Sequence, residues 1–97
     1  MNNSNKEVRG FILSILKLQY PGTASDRLIS LTLNDSHLES ALPQIRGHLH
    51  YLEEKGYVKT EEGNELGMQR TMATLTAKGI DLLDGNIPDE PGIMVIR

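Results

Sequence analysis

Apolar positions recur at helical spacing up to Gly56, at alternate positions from Tyr57 to Leu75, and at helical spacing again up to Gly85. From Asn5 to about Tyr20, the residues Val8, Phe11, Ile12, Ile15, Leu16 and Gln19 form one broad stripe, widened by Leu13 and Leu18. Lys6, Arg9, Ser14 and Lys17 take the wetter side, which predicts a helix set deep in the fold or at a subunit contact. Pro21-Gly22 should end it, because proline disfavours the helical region for the preceding residue and glycine permits a turn. A second, shorter helix is predicted over Thr23–Asn34, capped by Thr23 or Ser25, with Leu28, Ile29 and Leu31 to Leu33 as its buried set. Asn34 to Ser40 carries turn chemistry, with Leu38 as the apolar anchor.

The next helix, from Ala41 to Lys55, has two different sides. Ile45, Leu49 and Leu52 share one, with Ala41 and Leu42 close by, while Pro43, Gln44, Gly47, His50, Tyr51 and Glu54 point the other way. Pro43 falls in the first turn, where its missing donor costs nothing. Lys55 supplies a cation to the last turn, and Gly56 suits a left-handed stop. Tyr57 to Glu61 then alternates, Glu62-Gly-Asn-Glu-Leu-Gly67 has the composition of a hairpin loop, and Met68 to Leu75 returns as a second strand. A short helix over Thr76–Asp84 follows, capped by Thr74 or Thr76, with Ile80, Leu82 and Leu83 for the core and Gly85 as its stop. The tail from Asn86 to Arg97 holds two prolines and should be extended. Its Ile93-Met-Val-Ile96 run is too hydrophobic for a free terminus and predicts a strand or arm packed on its own domain or on a second subunit. These elements describe a mainly α protein with a small β hairpin (α+β), a winged helix-turn-helix over residues 1–85 followed by an extended tail over residues 86–97.

With 97 residues, 38% of them hydrophobic, the chain can form one domain with a single core. The lack of cysteine excludes disulfides and thiolate zinc sites and fits a reducing compartment. Met1 to Glu7 shows no signal-peptide pattern, and no apolar run approaches the roughly 20 residues of a membrane span. A cytoplasmic protein without a membrane partner is expected. The formal charge of −3 weighs against nucleic acid, whose ligands usually carry a basic excess, and leaves only a local patch as the route to such binding.

The order helix, helix, turn, helix, then Leu52-Glu-Glu-Lys-Gly-Tyr-Val58, a hairpin and Leu75-Thr-Ala-Lys-Gly79, resembles the winged-helix regulators of the ArsR, MarR and PadR type. Their matching segments commonly read Leu-Glu-x-x-Gly-Leu-Val and Leu-Thr-x-x-Gly. More narrowly, residues 6 to 93 are similar to small ArsR-like proteins encoded by Mu-like bacteriophages and prophages. Leu52 to Val58, Ala73-Thr-Leu-Thr-Ala-Lys-Gly-Ile80 and Pro91-Gly-Ile93 carry that likeness. The resemblance implies a DNA-binding transcriptional regulator of phage or prophage origin, acting in the cytoplasm of a bacterial host.

For double-stranded DNA as partner, Gln44, Arg46, Gly47, His50 and Tyr51 are the candidate base readers. Glutamine can pair with adenine and arginine with guanine, and glycine lets the backbone approach. Lys55, Lys59, Arg70 and Lys78 are the candidate phosphate contacts. A homodimer is expected, since one helix reads only a few base pairs, and Phe11, Ile15, Leu18, Ile93 and Val95 are the candidate dimer contacts. The alternative is a protein-interaction module that binds no DNA, whose helix face or glutamate-rich hairpin (Glu61, Glu62, Glu65) docks on a host or phage protein. A third possibility is a purely oligomeric structural piece, for which the apolar tail speaks. No metal site or cofactor is expected from His37, His48 and His50, because the last two diverge on their helix and no cysteine joins them. No nucleophile and base stand at a catalytic spacing, and the Gly63-to-Gly67 spacing lacks the lysine of a phosphate loop, so no enzyme is expected.

Overall fold

A computed structural model describes residues 4–97. Met1 to Asn3, where the segment read for a signal peptide begins, lie outside the described residues, as does the side chain of Glu65. The elements run α1 (Asn5–Gln19), β1 (Ala24–Ser25), α2 (Asp26–Asp35), α3 (Leu42–Glu54), β2 (Val58–Glu65), β3 (Met68–Leu75) and α4 (Ala77–Asp84). The fold is α+β, four helices with a three-stranded antiparallel sheet in the order β1-β3-β2. No helix among the described residues is long and apolar enough to cross a membrane.

The second helix starts later than its polarity pattern suggested. Ala24 and Ser25 are extended and pair with Ala73 and Met72 as β1, so Thr23 is no cap. Ser25 caps α2 instead, its Oγ accepting from Leu28 N–H at 3.1 Å. Ile29 and Leu33 of this helix are fully buried, whereas Leu28 and Leu31 are exposed, correcting their assignment to the core. A ten-residue helix leaning on the domain from one side buries one i, i+4 pair, and the leucines beside it remain wet.

The helix-to-strand junctions follow from local chemistry. Gly56 takes φ +89°, and Tyr57 N–H donates to Leu52 O at 2.9 Å, a left-handed stop that turns the chain out of α3. The hairpin is longer and its loop tighter than expected. Glu62, Gly63 and Asn64 are paired with Thr71, Arg70 and Gln69, and the turn is only Leu66-Gly67, at φ 55° and 78°. Two consecutive positive φ values match the twist of a two-residue hairpin, which explains why the loop closes here and not at the earlier glycine. Thr76 caps α4, accepting from Gly79 N–H at 3.1 Å, and Gly85 ends it in the left-handed region.

A single core joins all of these. Ile12, Leu13 and Leu16 of α1 meet Ile29 and Leu33 of α2, Ile45, Leu49 and Leu52 of α3, Leu75 of β3 and Leu82 of α4. The tail lies on this core as an irregular arm. Ile93 is buried, Met94 N–H donates to Lys6 O at 3.0 Å, and Arg97 Nη2 donates to Leu82 O at 3.1 Å at the end of α4. The dimer-contact assignment is therefore corrected in part. Ile15 and Ile93 belong to the core of their own chain, and Phe11 and Val95 are half-buried against it. Leu18, 86% exposed, keeps its apolar side chain in solvent.

Where α1 meets the tail, a Cβ on Gly10 would overlap the Met94 carbonyl oxygen. In an open helix, alanine for glycine is worth up to about 1 kcal/mol. Here backbone blocks the space, so Gly10→Ala should destabilise the fold by about 1–3 kcal/mol in urea unfolding followed by circular dichroism. A gain in stability would show that the tail does not sit on α1.

Candidate nucleic-acid interface

At roughly 100° per residue, α3 divides into a wet centre with two flanks. Pro43, Gly47, His50 and Glu54 form the centre and are all exposed. Arg46 and Glu53 flank it on the hairpin side, and Gln44 and Tyr51 on the opposite side. This division comes from the buried seam of Ile45, Leu49 and Leu52, which leaves the helix no freedom to roll.

The structure places the candidate base readers in different settings. Gly47 is open, with no atom within 4 Å of where its Cβ would be. His50 is exposed, its Nε2 standing 3.1 Å from Glu54 Oε1 one turn on. Gln44 reaches back along its own helix, its Oε1 accepting from Ala41 N–H at 3.1 Å, so it does part of a capping residue's work where alanine offers no acceptor. Arg46 donates from Nε to Asp26 Oδ2 at 2.9 Å, an ion pair between a guanidinium in partial contact with solvent and a fully buried carboxylate. Tyr51 does not face outward with His50. It is half-buried, with the Arg9 guanidinium stacked 3.9 Å from its ring centroid and Gly92 of the tail against its hydroxyl, which corrects its place in the set.

The candidate phosphate contacts are mostly engaged within the chain. Lys78 Nζ donates to Lys55 O at 3.0 Å, closing the end of α3, and lies 5.1 Å from the Tyr57 ring centroid. Lys55 Nζ is 3.7 Å from Glu90 Oε2. Arg70 is half-buried on β3. Lys59 projects into solvent from β2.

Between α3 and the hairpin lies a cleft of about 110 Å³, with Arg46 and His50 on one wall and Gln69 and Thr71 on the other. One carboxylate fastens these walls: Glu53 of α3 accepts from Thr60 N–H and from Thr60 Oγ1, both at 2.8 Å, while Glu62 accepts from Thr71 Oγ1 at 3.1 Å within the hairpin wall itself. Glu53, whose hairpin partner no sequence pattern announces, pins the wing to the helix. Asp26, Arg9 and His48 also escape sequence reasoning, because their partners are 20 or more positions away.

Arg9 joins three elements. Its Nε donates to His48 Nδ1 at 3.2 Å, its Nη1 to Gly92 O at 3.2 Å, and its face covers Tyr51. Burial, and then the nearby Arg9 charge, hold His48 below its ordinary pKa of 6.5. Tyr57, at the start of the wing, donates from its hydroxyl to Glu90 Oε1 at 2.9 Å. Burial, followed by that carboxylate, pushes its pKa up to about 12. Among the described residues, no group of three or more histidine, cysteine, aspartate or glutamate side chains is arranged to hold a metal ion.

No protein-family model matches the chain, and no curated protein matches it. Solved structures do. A PadR-family transcriptional regulator from Eggerthella lenta superposes with a TM-score of 0.63 at 19% identity, covering 81% of this chain and 70% of that one. A transcriptional regulator from Clostridium thermocellum gives 0.62 at 24% identity, covering 81% and 75%. Bacillus subtilis PadR, in a structure with operator DNA, gives 0.59 at 22% identity, covering 93% of this chain and 54% of that chain. The chain thus shares the winged-helix fold of PadR-family regulators.

The pKa of His48 is lowered in the native state while its unfolded counterpart titrates at 6.5, so below that pH the unfolded chain binds the extra proton first. Stability should therefore fall as pH drops through 6.5 and level off below the depressed native value. Comparing urea midpoints between pH 5 and 8 for the wild type and His48→Gln, which retains an acceptor for Arg9, isolates this contribution. Equal slopes for the two proteins would reject it.

Proposed function

We propose that the chain is a winged-helix DNA-binding protein, a transcriptional regulator that acts as a homodimer in a bacterial cytoplasm. The observation that carries this reading is the exposed face of α3, with Gly47 at its centre beside a hairpin of two eight-residue strands, on a fold shared with PadR-family regulators. One of those neighbours was solved on its operator. The motif-level likeness to phage-encoded ArsR-like proteins supports a phage or prophage origin.

On this reading Gly47 lets the helix backbone approach a base edge, and His50 and Arg46 supply donors beside it. Lys59 contacts the phosphate backbone from the hairpin. Pairing of two copies sets their α3 helices about one turn of duplex apart, and the exposed Leu18 side chain is available to that contact. The alternative is docking on a host or phage protein without DNA. Glu61 and Glu62 favour it, since both are exposed on the strand that would flank a phosphate chain.

Retention on random duplex at low salt separates the two readings, and passage straight through would select the protein partner. Gly47→Ala has no neighbour to strike, so it should raise stability by about 0.5–1 kcal/mol while weakening duplex binding. Unchanged binding by a stabilised variant would remove Gly47 from the interface. Lys59→Ala should weaken all duplexes alike and lower the slope of log affinity against log salt by about 1. An unchanged slope in a fluorescence-anisotropy titration would reject the phosphate role.

A further inference from the structure

Asp26 is fully buried in the first turn of α2, against α3. One of its oxygens accepts from Arg46 Nε, and Oδ1 has no hydrogen-bond partner among the described residues. Burying a carboxylate with one oxygen unmatched is costly, and an ion pair of this kind adds little stability over an apolar pair of the same shape. The arrangement therefore asks for another explanation.

It lies in what the pair does to Arg46. With Nε directed inward, the chain is held along one edge of the guanidinium. No described hydrogen bond takes either Nη, and 36% of the side chain remains in contact with solvent. The Nη pair is the fork that matches the O6 and N7 acceptors of guanine. The carboxylate also cancels the arginine's charge, and Glu53 and Glu62 line the same cleft. Arg46 is thus a poor phosphate binder, since the local field disfavours an anion, but its donors have a fixed direction. Such an arginine contributes sequence preference more than affinity.

We propose that Asp26 is a positioning residue that orients Arg46 from beneath α3, so that the Arg46 fork reads a guanine in the major groove. This rests on the DNA-binding reading above and adds the base recognised and the residue that sets the geometry.

The test selects duplexes from a random-sequence pool with the full chain, then replaces the enriched guanine by 7-deazaguanine, which lacks the N7 acceptor. Wild-type protein should lose about 10- to 100-fold in affinity on that replacement. Asp26→Ala, which removes the acceptor, and Asp26→Ser as a second variant that keeps a good helix-start residue but is too short to reach Arg46 Nε, should bind guanine and 7-deazaguanine equally. Arg46→Ala, which removes the fork and every other donor, should do the same. Loss of overall fold would weaken both duplexes together and leave their ratio intact, so the ratio reports orientation, and thermal melting confirms that each variant is folded. Enrichment of a sequence without guanine, or a folded Asp26 variant that keeps the wild-type ratio, overturns the proposal while leaving DNA binding in place. Failure of the wild type to retain any duplex at low salt overturns both readings.

Discussion

The burial of Ile45, Leu49 and Leu52 is the constraint on which the rest of the molecule depends. These three side chains lock α3 against the core formed by α1, α2 and the sheet, and so determine which residues of the helix meet solvent and which meet a neighbour. A rotation of one residue, about 100°, would sink His50 into the place of Leu49 and lift Ile45 into the exposed place of Gln44, at a cost of roughly 2 kcal/mol for the isoleucine alone. Gly56 then makes the orientation matter for the hairpin, because its left-handed turn sends β2 away alongside the same helix. Glu53 completes the frame by holding Thr60 of the wing through two hydrogen bonds.

Electrostatics sets the character of the surface. Arg46 answers a buried carboxylate, Lys55 lies near Glu90, and Lys78 closes the end of α3. Cations that would make a non-specific polyanion site are occupied in holding the fold, in a chain of formal charge −3. Such a surface is suited to recognition by shape and directed donors more than by attraction. That favours selective recognition over sliding contact, whichever partner is present.

The strongly patterned parts of the chain were legible in the sequence. The start of α1, the seam of α3, the stop at Gly56 and the Thr76 and Gly85 caps of α4 each rest on a local rule that tertiary structure does not override. The misreadings have physical causes. Gly63 and Asn64 have turn chemistry, but Leu66 accepts a left-handed conformation next to Gly67 and moves the loop outward. β1 is two residues long and exists only because β3 offers it an edge, so no periodicity could announce it. Leu28 and Leu31 belong to a leucine-rich helix whose other sides nothing among the described residues covers. The apolar stripe of α1 suggested a subunit contact at Ile15, whereas the chain covers that stripe with its own residues. At the candidate site, Asp26 and Arg9 were invisible because their value lies in partners that only folding brings near.

The Arg9 junction has a consequence for how the molecule opens. One guanidinium bonds the tail through Gly92, the middle of α3 through His48, and covers the Tyr51 ring. Lifting the tail at Gly92 therefore breaks one of the bonds that hold Arg9 against the helix that faces outward. Opening of that segment and loosening of α3 are thereby coupled, and this part of the tail shares in the packing of the domain's centre.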